Sequence, residues 1–314
     1  MSIHVKENVT LAPYTIYKIG GPARFFVEAV NADEVREALE FAAEKNLPIF
    51  ILGAGSNILI NDKGFDGLVV RMIGGELKVE GCKLTVGAGA MMACAVTEAA
   101  KAGLTGFEWG IGVPGTIGGS VRGNAGCFGG EMKDVIESVE VFDAIKTISD
   151  KRQAVSCEFS YRDSIFKKHP EWIILSATLK LHEGDPQVIQ ENIKRITRER
   201  SKKQDIGTKS CGCIFKNVSW TRGDINKEKL LLQFLELAQF KDKLNTPASF
   251  LIDQVGRKGK CFGRICISPK HANFFVNEGG ATAEEAVIAI AAAKDAVKNK
   301  YGILLEEEIE YVGF

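Results

Sequence analysis

Glycine, arginine, cysteine and glutamate occur in this chain at spacings that invite chemistry. The densest set is Gly103–Gly130, GLTGFEWGIGVPGTIGGSVRGNAGCFGG, which holds eleven of the 33 glycines. In a helix or strand each glycine costs about 0.5–1 kcal/mol relative to alanine, so this density predicts a long ordered loop with bare backbone. Its Pro114-Gly115-Thr116-Ile117-Gly118-Gly119 run, with Asn124-Ala125-Gly126 behind it, can offer amide N–H groups to a phosphate-bearing cofactor. An ordinary glycine-rich loop is the competing reading. A second glycine turn, Gly53-Ala54-Gly55-Ser56-Asn57, follows the apolar run Pro48–Leu52. It matches the dinucleotide fingerprint poorly, because no third glycine follows at the right spacing and Ile58-Leu59-Ile60 continues as strand.

Arg162 lies in the polar turn Ser160-Tyr161-Arg162-Asp163-Ser164. Its planar fork suits a carboxylate; taken alone, such an arginine reads as surface decoration. Cys211-x-Cys213 with Cys261-x4-Cys266 raises the question of zinc, but the spacing fits no common ribbon or finger, and no metal is expected. Eight scattered cysteines in a chain of this size argue against a disulfide framework. Near the end, Glu306, Glu308 and Glu310 alternate onto one face of a strand, which periodicity alone reads as a solvated acidic face.

The elements that must position these groups are legible from pattern. A length of 314 residues predicts two or three domains. Thr15–Val27 reads as strand, glycine turn and strand. Asn31, Asp33 and Glu34 open a helix with Val35, Ala38, Leu39 and Ala42 on one face. Residues 90–102 read as a helix ended by Gly103, and Ser138–Phe142 and Trp172–Leu181 as strands. Pro186–Gln204 is a charged helix with Val188, Ile189, Ile193 and Ile196 as its apolar stripe. Then come a leucine-rich helix at 228–240, a shorter one at Ala248–Val255, strands at Cys261–Ser268 and His271–Asn277, a helix at Ala283–Lys298 capped by Thr282, and a closing strand at Ile303–Val312. Forty basic and forty acidic residues imply neither nucleic acid nor an anionic membrane as partner. The first residues lack a signal-peptide run and no stretch approaches the ~20 apolar residues of a membrane span, so a cytoplasmic protein is expected.

Taken in order, Lys18-Ile19-Gly20-Gly21, Leu52–Asn57 with Asp62 and Gly64, Gly112–Gly119 through Gly126, Tyr161-Arg162-Asp163-Ser164, Gly212–Asn217, His271-Ala272-Asn273-Phe274 and Leu305–Ile309 resemble the UDP-N-acetylenolpyruvoylglucosamine reductase family. The resemblance covers nearly the whole chain. The glycine stretches are shared with the wider vanillyl-alcohol-oxidase, or PCMH-type, FAD-binding domain; the Tyr-Arg-Asp-Ser, Phe-Lys-Asn and glutamate motifs are more specific to the reductases.

That resemblance implies an α+β fold: a two-lobed PCMH-type FAD-binding region, residues 1–71 and 72–205, then an α+β substrate-binding domain, 206–314, whose last strand packs back on the first lobe. It implies FAD as cofactor, NADPH as co-substrate and a UDP-sugar as substrate, in a monomer with no nucleic-acid or membrane partner. The cofactor residues it implies are Leu52, Gly53, Ala54, Gly55, Ser56 and Asn57 in one turn, and Pro114, Gly115, Thr116, Gly118, Gly119, Asn124 and Ala125 in the other. Arg162, Cys213 and Glu308 match the catalytic positions, with Tyr161, Lys216, Asn217 and Gln254 toward the substrate. Cys213 stands where serine is commoner. Val218 replaces the usual proline, and 219–246 is longer than the pattern typically has. The missing substrate-capping loop points to the shorter second type. The competing functions are a flavin oxidase on the same fold and a non-catalytic nucleotide-binding protein.

Overall fold

The computed structural model describes residues 3–203, 205 and 207–314. The chain divides into two compact units, each assembled from separated stretches. The first takes the residues up to Thr10, Pro22–Ser56 and Gly64–Lys202; the second takes Leu11–Gly21, Asn57–Lys63 and Lys203–Phe314.

In the first unit, strands Lys6–Thr10, Pro22–Ala29, Phe65–Met72 and Ile49–Leu52 lie side by side in that order. The first pair is antiparallel and the other two are parallel. Parallel neighbours need a crossover, which the helix Ala32–Glu44 supplies. The Asn31 side chain caps it, accepting from the Glu34 amide at 2.9 Å, and Asp33 and Glu34 favour the positive helix end. Val35, Ala38 and Ala42 are buried as the pattern predicts, but Phe41 is buried where Leu39 is only partly covered. No strand forms at Thr15–Ile19. Lys18 at φ +58° and Gly20 at φ +144° break the extended backbone, and the strand lies earlier, at Lys6–Thr10.

The same unit holds a five-stranded antiparallel sheet in the order Ile148–Gln153, Ile136–Asp143, Trp172–Lys180, Lys83–Gly87 and Leu77–Glu80. Val139, Val141, Ala177, Leu179, Leu84 and Val86 alternate into one core with Met92, Ala95, Val96 and Ala99 of the helix Met92–Lys101. The charged helix Pro186–Lys203 buries Ile189 and Ile196, whereas Val188 is exposed and leaves the expected stripe. Gln204, its expected last residue, lies outside the described residues.

The second unit packs around the helix Ala283–Tyr301, whose Ala286, Ala289, Ile290, Ala293 and Val297 share a core with Phe215, Leu251 and Phe275. A reciprocal Thr282–Glu285 capping box starts the helix, and the Asp62 carboxylate accepts from the Ala283 amide at 2.9 Å. The leucine-rich stretch is not one helix. It breaks at Phe234 into the helix Lys227–Gln233 and a 3-10 stretch Leu235–Phe240, burying Leu230 and Leu237 and exposing Leu232 and Leu235. Two expected strands shorten to the hairpin Cys261–Phe262/Ile265–Ile267 with Phe275–Asn277 beside it. Cys261 and Cys266 face each other across that hairpin and form a disulfide, a single local staple that the argument against a framework did not foresee. The closing strand is only Glu310–Val312, parallel to Ile58–Ile60. Among the described residues no helix is long and apolar enough to cross a membrane.

Candidate active site

The first unit brings the two glycine turns together. A Cβ built on Gly53 would stand 2.6 Å from Thr116 Oγ1, and one on Gly115 would stand 3.0 Å from Ser56 Oγ. The glycine-dense stretch is not loop throughout, contrary to its composition, because Ile117–Arg122 is helical. Thr116 caps that helix, and Gly118 packs so closely on Ala88 that a Cβ would come within 2.9 Å of the alanine methyl. Close approach, not a left-handed backbone, therefore requires glycine at 118. The first amides of the helix are spent inside the protein, Ile117 on the Ala90 carbonyl and Gly118 on the Ala88 carbonyl. Among the described residues, the amides of Ala54, Gly55 and Ser56 make no backbone hydrogen bond. Bare backbone with amides to spare fits the pyrophosphate of a flavin dinucleotide.

Arg162 sits in a tight turn closed by two hydrogen bonds between the Ser160 and Asp163 backbones, 3.0 and 3.2 Å. Its φ of +57° is left-handed, a conformation that costs a non-glycine residue about 1 kcal/mol or more and clusters at functional sites. The glycine stretch holds this turn from two points. Asn124, 1% exposed, donates to the Ser160 carbonyl at 2.7 Å and to Glu131 at 2.9 Å, and its Oδ1 accepts from the Lys133 amide at 3.0 Å. Ser164 Oγ donates to the Arg122 carbonyl at 2.6 Å. Asn124 thus spends both donors on protein, and Ala125 uses its N–H on Ser120 and its carbonyl on Met132. What either can give a cofactor is correspondingly small. Tyr161 is exposed beside Arg162, its ring 5.7 Å from the guanidinium carbon.

Cys213 and Glu308 belong to the second unit, where one rib of backbone holds both. Cys213 bridges Phe274, and the Ile214 amide donates to the Asn273 carbonyl at 2.9 Å. On the other edge the Glu308 amide donates to the Ile214 carbonyl at 2.7 Å, and the Lys216 amide to the Glu306 carbonyl at 2.9 Å. Asn273, buried, locks the rib from the side: it accepts from the Phe215 amide and donates to the Phe215 carbonyl. Asn57 closes the arrangement, donating to the Glu308 carbonyl at 3.0 Å while its own carbonyl accepts from the Glu310 amide. Behind the rib, Cys211 is 2% exposed; burial, reinforced by Cys213 and Glu308, pushes its thiol far above the ordinary range, so it stays neutral.

The expected solvated acidic face holds at Glu306, which is exposed, whereas Glu308 and Glu310 are half-buried. Glu306 pairs with Arg222 at 3.2 Å and Glu307 with Lys294 at 2.5 Å. Burial and a hydrogen bond to Glu307 push the Tyr311 phenol well above its usual value. Asn217 Oδ1 accepts from the Ala248 amide at 3.2 Å, tying the Phe-Lys-Asn motif to the helix Ala248–Gln254. Gln254 is exposed at the end of that helix, and its carbonyl accepts from Lys300. Lys216 is half-buried on the rib. The sequence quoted His271 and Asn273 only as motif letters. A buried asparagine paired both ways to one backbone residue, and an imidazole whose Nδ1 is buried without a partner, became visible only in the fold. Among the described residues no group of three or more His, Cys, Asp or Glu side chains is placed to hold a metal.

Residues 23–148 match an FAD binding domain family, and residues 204–312 match the C-terminal domain of UDP-N-acetylenolpyruvoylglucosamine reductase. Cradle and family together define an FAD-dependent oxidoreductase of mixed α and β structure. The chain is 36% identical to the UDP-N-acetylenolpyruvoylglucosamine reductase of Solibacter usitatus (strain Ellin6076) over 99% of its own length and 98% of that protein. It is 34% identical to the same enzyme of Synechococcus sp. (strain JA-3-3Ab), over 100% and 93%. The crystal structure of UDP-N-acetylenolpyruvylglucosamine reductase from Thermus caldophilus matches with a TM-score of 0.76 at 31% identity, covering 99% of each chain. The chain belongs to the UDP-N-acetylenolpyruvoylglucosamine reductase family.

Proposed function

We propose that this protein uses NADPH to reduce the enolpyruvyl group of UDP-N-acetylglucosamine-enolpyruvate to UDP-N-acetylmuramate, a step of peptidoglycan precursor synthesis, as a cytoplasmic monomer. The observation that carries this reading is the shared backbone rib of Cys213 and Glu308, because a flavin oxidase would have no use for a thiol and a carboxylate held in register. In functional terms residues 1–71 and 72–205 are the two FAD-binding lobes and 206–314 the substrate domain.

FAD, when bound, would supply hydride transfer between NADPH and the methylene carbon of the enolpyruvyl group. The Leu52–Asn57 turn and the Pro114–Ala125 stretch would hold it, Asn124 and Ala125 chiefly by shaping the stretch, since their own hydrogen-bonding groups are engaged within the protein. Hydride addition builds enolate-like charge on the substrate carboxylate. Arg162 meets that charge; its guanidinium is presented by a turn fixed before substrate arrives, so little reorganisation is required. Cys213 donates the proton to the adjacent carbon. A thiol, with a reference pKa near ~8.5, is a stronger acid than a serine hydroxyl and is mostly protonated at neutral pH. Glu308 positions the substrate carboxylate, a role that requires its own carboxyl group to be protonated or paired with a cation because two carboxylates repel; Lys216 meets the diphosphate, and Tyr161, Asn217 and Gln254 hold the UDP-sugar.

The test is anaerobic. NADPH should bleach the flavin absorbance, and the enolpyruvyl substrate should restore it without oxygen. A flavin that NADPH bleaches and only oxygen recolours would identify an oxidase; a preparation that stays colourless after incubation with FAD would overturn every flavin reading.

A further inference from the structure

The connection 219–246 has no part in the reaction just described, yet Arg222 reaches from it to the segment that carries Glu308. Its guanidinium is bidentate on Asp224, Nε to Oδ1 at 2.5 Å and Nη2 to Oδ2 at 2.8 Å, which fixes the plane of the fork. From that fixed plane Nη2 donates to the Leu304 carbonyl at 2.9 Å and Nη1 to Glu306 Oε1 at 3.2 Å. The Arg222 side chain is 19% exposed while its partners Glu306 and Asp224 are 54% and 55% exposed, so these are partly screened surface contacts whose worth lies in their fixed geometry. Its mount is ordered: Trp220 is buried, donates from Nε1 to the Phe240 carbonyl at 3.0 Å and from its amide to the Leu244 carbonyl, and Val218–Ser219 pairs with Asn245–Thr246.

The geometry of 306–308 gives these contacts a purpose. Glu307 bridges Phe215, so the backbone there is locally extended. Side chains alternate along extended backbone, which sends those of Glu306 and Glu308 to one side and that of Glu307 to the other. Glu307 is occupied by Lys294. Glu306, left to itself, would set a second carboxylate on the side where Glu308 receives a carboxylate-bearing substrate, and like charges there repel.

We propose that Arg222 is a positioning residue for Glu308: it anchors Leu304 and draws the Glu306 carboxylate away from the side on which Glu308 meets the substrate carboxylate. The proposal rests on the role given to Glu308 above, and it makes the long connection a carrier for one guanidinium.

The test compares wild-type holoenzyme with Arg222→Gln, Glu306→Gln and the double variant, each checked for flavin absorbance and thermal unfolding. Calorimetry measures binding of UDP-N-acetylmuramate, which carries the lactyl carboxylate, and of UDP, which does not. Arg222→Gln should weaken UDP-N-acetylmuramate about three- to fivefold and UDP by less than about twofold, the size of one partly screened charge contact. Adding Glu306→Gln should restore most of the loss, because the freed carboxylate is gone. Equal weakening of both ligands, or no restoration, would make Arg222 a purely structural brace and overturn the proposal. Wild-type enzyme that binds UDP-N-acetylmuramate no better than UDP would instead overturn the role of Glu308.

Discussion

The side-chain amide of Asn124 donates a 2.7 Å hydrogen bond to the carbonyl of Ser160, tying the glycine-dense stretch to the turn that presents Arg162. Asn124 is itself left-handed, at φ +41°, which an asparagine tolerates better than most residues. One residue therefore supplies both the bend after the helix Ile117–Arg122 and the dock for a candidate catalytic arginine. Asn124→Ala should lower stability by about 1–3 kcal/mol, the cost of stranding buried partners, and slow flavin reoxidation by the enolpyruvyl substrate more than flavin reduction by NADPH. Urea unfolding and stopped-flow absorbance measure the two. Equal slowing of both half-reactions would detach Asn124 from Arg162.

Gly118 and Gly119 are neighbours in sequence with opposite expectations. A Cβ at 118 meets Ala88 at 2.9 Å, whereas one at 119 finds only Thr116 Oγ1, at 3.6 Å. Gly118→Ala should destabilise by about 1–3 kcal/mol through overpacking. Gly119→Ala should leave stability equal or raise it by up to about 1 kcal/mol, since alanine is the better helix residue. If Gly119→Ala nevertheless purifies with much less flavin than wild type, the bare backbone at 119 serves the cofactor rather than the fold. Flavin absorbance per chain, read beside the unfolding curve, separates these outcomes.

Cys213→Ala should leave NADPH reduction of the flavin near normal and slow reoxidation by substrate at least ~100-fold, the usual loss for a general acid. Cys213→Ser should recover part of that rate, because a hydroxyl can donate the same proton less readily. Unchanged reoxidation in the alanine variant would remove Cys213 from the chemistry.

Burial holds the His271 imidazole below its ordinary value, with Lys258 acting in the same direction and Asp205 and a backbone hydrogen bond opposing. The unfolded chain then takes up a proton at higher pH than the folded one. Stability from this group is complete above the unfolded value of ~6.5 and is lost as pH falls through the window beneath it, toward the folded value. Urea midpoints measured from about pH 7.5 down to about pH 5 should fall more steeply for wild type than for His271→Asn. Parallel curves would assign the acid sensitivity to other groups.

Much of the fold was legible because local signals agreed with tertiary need. Asn31 before Asp33 and Glu34, and Thr282 before Glu285, start helices where the sequence places them. The strands Ile136–Asp143 and Trp172–Lys180 form where the sequence places them. The misses share a cause, a partner far along the chain. Glycine counting predicted loop at Ile117–Arg122 because composition does not reveal Ala88 lying against Gly118. Periodicity predicted an acidic face at 306–310 but not the ion pairs of Glu306 with Arg222 and Glu307 with Lys294, because both cations are remote in sequence. Nothing in the order of residues disclosed that Asn57, read as part of a phosphate turn, also holds Glu308.

That last contact spans 251 positions, and the strand Ile58–Ile60 beside it pairs, among the described residues, with Glu310–Val312. A ribosome makes residues 57–63 long before their partner strand. The second unit therefore cannot close until residue 312 has been made, and Leu59 and Ile60, both fully buried in the finished protein, lack that partner strand until then. Discontinuity of this kind sets the order of assembly: the long first-unit segment Gly64–Lys202 is complete while the second unit is still lacking its closing strand.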